Sequence, residues 1–186
     1  MRVLKKVNLR VLFPVFLLLM PAAALAQTTV TLPDTSQTTT FTASVSEQAR
    51  VTVPASVTFN ISDIGSAGSS SAAATVTVTQ IVLATATKQF KVSIQANAAA
   101  FTPPVSGATT WSASDVTWFA PSWTNGAGAA GTLSSSAFSA VGTCTADVAS
   151  CSTTGSLWFY LAAKTTVKRS GNHSLVVSWK FESIGS

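Results

Sequence analysis

The sequence predicts an all-β protein: a single antiparallel β-sandwich that follows a removable leader. Three observations predict it. Apolar and polar residues alternate with a period of two in many short runs. Clusters of Gly, Pro, Asn, Asp and Ser separate those runs. No apolar repeat of helical period and useful length follows the first 26 residues; the Ala-rich QANAAAF is short and uncapped.

The chain opens with the basic MRVLKKVNLR, continues through the apolar VLFPVFLLLM and reaches small residues in PAAALAQ. Ala24 and Ala26 stand as in an A-x-A cleavage site. This predicts a secretory signal peptide over residues 1–26, cut between Ala26 and Gln27. Pro14 interrupts the apolar run, which is too short to cross a bilayer, and no second run of spanning length follows. The mature chain is therefore expected to carry no membrane span and to reside in the periplasm, at the cell surface or outside the cell.

Loss of the leader changes the electrostatics. Arg2, Lys5, Lys6 and Arg10 go with it, so 11 − 4 = 7 basic residues remain against 6 acidic ones. A net charge of about +1 gives no phosphate-binding footprint, which excludes nucleic acid as an expected partner. Of the 186 − 26 = 160 mature residues only 13 are charged, whereas 53 are Ser or Thr. A typical domain is about a quarter charged. The polar surface is thus made of hydroxyls, and the apolar content is too high for a disordered chain. One domain with a sizeable core fits this length.

Cys144 and Cys151, in GTCTADVASCSTT, are the only cysteines, and in an exported chain they are expected to form a disulfide. With one histidine they do not make up a four-ligand metal site, and no cofactor is expected.

The segment 27–38, QTTVTLPDTSQT, is polar apart from Val30 and Leu32 and reads as an N-terminal arm or edge strand; residues 39–186 form the sandwich domain. Phe41, Ala43 and Val45 share one face of the first expected strand. Val51 and Val53 follow, then a break at Pro54, then Val57, Phe59 and Ile61. Val76 and Val78 lead into a continuously apolar Ile81–Leu83. Phe90, Val92 and Ile94 oppose Lys91, Ser93 and Gln95. SLWFYLAA is apolar on both faces, as in a central strand. His173, Leu175, Val177, Trp179 and Phe181 are in phase along the last strand.

His173, the single histidine, opens that strand after Ser170-Gly171-Asn172. Immunoglobulin-like sandwiches often place a ring at a comparable corner, hydrogen-bonded to nearby backbone. A catalytic role would require a nucleophile and an orienting carboxylate, and no G-x-S-x-G elbow exists in the chain. No catalytic residue is assigned and the protein is not expected to be an enzyme. Among the tryptophans, Trp118, Trp158 and Trp179 lie in apolar strand patterns and are expected in the core. Trp111 and Trp123 border loops and are the candidates for stacking on a glycan.

VTVPASVTFNISDIG near the start and SGNHSLVVSWKF at the end resemble exported bacterial pilin-like sandwiches, notably the spore-coat-U type of fimbrial subunit, and more broadly immunoglobulin-like domains. Phe59, and Gly171 with His173, occupy comparable places. The family commonly has a cysteine in its first strand, where this chain reads FTASVSEQ, and the Trp-rich middle has no counterpart. The resemblance covers about the first and last thirds of the mature chain. It implies an immunoglobulin-like sandwich that lacks one strand and polymerises when a neighbour's N-terminal arm, here residues 27–40, fills the gap. The expected function is a non-catalytic secreted or cell-surface structural or adhesive subunit, partnered by itself or by other surface subunits. The alternative is a secreted carbohydrate-binding module.

Overall fold

A computed structural model describes residues 29–185. The expected leader and its Ala26–Gln27 cut lie outside the described residues. The chain divides into two compact units after Thr42. In the first, Asp34 organises a short turn by accepting hydrogen bonds from the Ser36 amide, at 2.8 Å, and from the Gln37 side chain, at 2.9 Å.

The second unit is all-β, as the alternating runs predict. Its strands are β1 (Gln48–Thr52), β2 (Gly68–Ser69), β3 (Thr77–Val82), β4 (Gln89–Ala96), β5 (Val116–Trp118), β6 (Trp123–Thr124), β7 (Gly126–Gly128), β8 (Gly131–Thr132), β9 (Ser139–Thr145), β10 (Ser150–Thr153), β11 (Phe159–Leu161) and β12 (Val177–Ile184). A single 3-10 turn, Ala113–Asp115, is the only helical element among the described residues, none of which forms a helix able to cross a membrane.

All pairings are antiparallel and give three four-stranded sheets, ordered β1-β3-β10-β6, β2-β11-β5-β8 and β12-β4-β9-β7. The longest ladder joins β12 to β4 over eight residue pairs, from Val177↔Ala96 to Ile184↔Gln89. Phe90, Val92, Ile94 and Ala96 share one face of β4, and Val177, Trp179 and Phe181 share one face of β12, so each strand offers a partner with the same period. Val76, Val78, Val92, Ile94, Val141, Leu157 and Trp118 are buried in one contiguous core.

Cys144 on β9 and Cys151 on β10 form the expected disulfide, with Cα atoms 5.8 Å apart and both residues fully buried. It ties the third sheet to the first. Trp118 is buried as expected, and its Nε1 donates to the Ala129 carbonyl at 2.9 Å.

Two expected strands are not formed. Residues 41–47 pair with nothing regular, and Phe41 and Val45 are 93% and 68% exposed. Between Pro54 and Ile64 the only ladder contact is an isolated bridge, Phe59↔Ser70. Pro54 has no N–H to donate, and it ends the β1 ladder just after Thr52.

Candidate binding groove

The half-formed segment 54–64 and the C-terminal strand both line an apolar groove of about 1070 Å³. Val57, Phe59 and Ile61 from the first, and Leu175, Val177 and Trp179 from the end of the chain, contribute to it. Ile94, Phe101, Val116, Leu133, Phe159 and Leu161, all core residues, contribute to its lining. These six are almost fully buried, so the apolar surface still open to solvent belongs to the half-buried Phe59, Ile61, Leu175, Val177 and Trp179.

Strand order explains the opening. β12 is the outer strand of its sheet and β2 is the outer strand of another. The segment beside β2 is held by Phe59↔Ser70 and by the Ser71 amide donating to the Thr58 carbonyl at 2.8 Å. The residues that alternate in phase along the end of the chain, His173, Leu175, Val177, Trp179 and Phe181, are therefore only half-buried. Their apolar face is a wall of the groove, and β12 keeps the unpaired backbone groups of an edge strand on the side away from β4.

His173 closes one end. Its Nε2 lies 3.1 Å from the Arg169 carbonyl, which can only accept, so Nε2 carries the proton. Nδ1 then accepts from Thr110 Oγ1 at 2.8 Å. The ring stands edge-on to Trp111, with centroids 5.3 Å apart. Both ring nitrogens thus fasten the 169–173 loop, in keeping with the structural corner expected from SGNH. Arg169 holds a φ of 74°, strained for a residue with a side chain, whereas Gly171 adopts its φ of 125° freely. No group of His, Cys, Asp and Glu suited to a metal ion occurs among the described residues.

The two tryptophans expected to be open for stacking are not. Trp111 is 5% exposed, packs against Phe101 and donates from Nε1 to the Ala162 carbonyl at 2.9 Å. Trp123 is 9% exposed and lies over Gly142, where a Cβ would come within 2.5 Å of the indole nitrogen. Their partners are distant in sequence, so no local pattern announces their burial. Trp158 and Trp179, expected in the core, are only half-buried.

The chain matches no family model, no curated protein and no solved structure.

Proposed function

We propose that this protein is a non-catalytic, exported structural subunit, an immunoglobulin-like sandwich short of one strand, that assembles by accepting a β-strand from another copy at the cell surface. The groove carries the reading. Its walls are two segments without a regular partner on that side, and its lining is the hydrophobic core. An inserted strand would supply backbone partners to β12 and bury Phe59, Leu175 and Trp179 at once. Burial of apolar area at roughly 25 cal/mol per Å² makes such filling strongly favourable.

The same chain carries a fitting strand. Val30 and Leu32 alternate in the first part of the arm. Phe41, Ala43 and Val45 alternate immediately before β1, with Phe41 and Val45 largely exposed. The second set is the better donor, because three consecutive positions of one face are apolar and the intervening residues are Thr and Ser. The resemblance to spore-coat-U type subunits implies a donor arm over residues 27–40, and this assignment moves the donor to the residues just after it.

The test compares the chain as exported with a form beginning at Ser46. Strand addition predicts that the longer form assembles, that the shorter stays monomeric, and that a peptide of residues 27–46 binds the shorter. Phe41→Asp with Val45→Asp in the full chain, or Leu175→Asp in the groove, abolishes assembly, whereas Val30→Asp with Leu32→Asp weakens it less. A full-length form that remains monomeric at high concentration, with no peptide binding, refutes the proposal.

A further inference from the structure

We propose that the outer face of the sheet β2-β11-β5-β8 is a binding platform for a neutral polysaccharide, with Phe119, Trp158 and Tyr160 as its stacking surface. The site is separate from the groove and independent of whether the groove accepts a strand. Along β11, Phe159 and Leu161 are buried, so Tyr160 and, by the same alternation, Trp158 point the other way. Along β5, Val116 and Trp118 are buried, which turns Thr117 and the following Phe119 outward. The register Phe159↔Trp118 and Tyr160↔Thr117, carried one step further, sets Trp158 opposite Phe119. Phe119 is 73% exposed, and its ring centre lies 5.2 Å from that of Tyr160. Three aromatic residues therefore share one outer face, and nothing among the described residues covers the most exposed of them.

Polar groups of one kind surround these rings. Tyr160 pairs in register with Ser69 on one side and with Thr117 on the other, and Thr117 pairs with Thr132. This makes a hydroxyl row across four strands, about 4.8 Å apart from strand to strand. None of the four side-chain hydroxyls, nor the Trp158 indole N–H, has a hydrogen-bond partner among the described residues. The nearest charges along the two strands, Asp115 and Lys164, close on each other at 2.7 Å.

This combination selects the ligand class. A pyranose ring presents an apolar C–H face for the aromatic rings and a hydroxyl rim for the row of hydroxyls and the indole N–H. An anionic ligand finds no free cation in this row. An apolar protein surface would bury five unpaired polar groups without replacing their bonds to water.

The experiment measures retention of the chain as exported on cellulose, chitin and mannan. Retention is expected on at least one. On that polysaccharide Phe119→Ala and Tyr160→Ala each raise the Kd, together by about tenfold or more, and Tyr160→Phe restores part of the loss. Phe119 is so exposed that its removal leaves the far-UV circular dichroism unchanged. Leu175→Asp, in the groove, leaves retention unchanged, so failure of strand addition and failure of this site are told apart. Absence of retention on all three polysaccharides, or retention that Phe119→Ala with Tyr160→Ala leaves unaltered, overturns the proposal.

Discussion

His173 Nδ1 and Thr110 Oγ1 meet at 2.8 Å across 63 residues of sequence. The bond fastens a loop that carries Arg169 and Gly171 in left-handed backbone, and this loop ends the groove wall. Thr110→Val removes the donor alone and is expected to cost about 1 kcal/mol. His173→Ala also removes the ring packed on Trp111 and is expected to cost about 2–3 kcal/mol. Urea unfolding at neutral pH measures both, and equal values for the two variants would show that the ring packing contributes nothing.

The disulfide closes a short loop, for which chain entropy gives a stabilisation of roughly 2–3 kcal/mol. Because Cys144 and Cys151 join β9 to β10, replacing both by Ser is expected to lower the urea midpoint by a corresponding amount. Intact-mass analysis under non-reducing conditions is expected to show no free thiol.

Gly142 has no room for a side chain. A Cβ there would lie 2.5 Å from Trp123 Nε1 and 2.6 Å from the Ala127 carbonyl oxygen, the latter backbone and slow to yield. Gly142→Ala is expected to cost about 1–3 kcal/mol by overpacking. Gly107→Ala, with nothing within 4 Å, meets no clash and costs only the strain of its φ of 77°. Thermal melts of the pair are expected to place Gly142→Ala lower.

Glu47, just before β1, accepts from the Ala84 amide at 2.7 Å and pairs with Lys88 at 3.0 Å. The Ala84 N–H first, and Lys88 next, hold its carboxyl below the ordinary 4.5. A depressed folded-state pKa contributes stability above the unfolded value, and that contribution is lost as pH falls from about 4.5 through the folded pKa. Glu47→Gln removes this dependence. Its stability is expected to fall less steeply than that of the unaltered protein below pH 4.5, as followed by urea midpoints across the acid range.

Much of the architecture was legible because β4 and β12 alternate in sequence and set Val92, Ile94 and Ala96 against Phe181, Trp179 and Val177 in register. The same alternation misled at Phe41–Val45 and at Val57–Ile61, where no regular ladder forms. Period two states that a segment has one apolar face, and says nothing of which chain covers it. The groove was therefore visible only as a run of ordinary strand residues. Trp111 and Trp123 were misjudged because their neighbours in sequence are polar loops, whereas Ala162 and Gly142 decide their burial. Phe119 and Trp158 were passed over because an outward aromatic in an apolar strand looks, in one dimension, like one more core residue.

The pairing of β12 with β4 sets the order in which the molecule can be made. Val177 meets Ala96 and Ile184 meets Gln89, so the longest ladder joins β12 to a segment made far earlier. Until residues 177–184 emerge, β4 has no partner on that side, and Phe90, Val92 and Ile94 stay open to other chains. Closing so large a loop is entropically slow, and folds dominated by such distant pairings reach their native state in milliseconds to seconds. Pairing of β4 on that side must therefore wait for β12, and a chain halted before Val177 would be a strong substrate for any chaperone that binds bare strand edges.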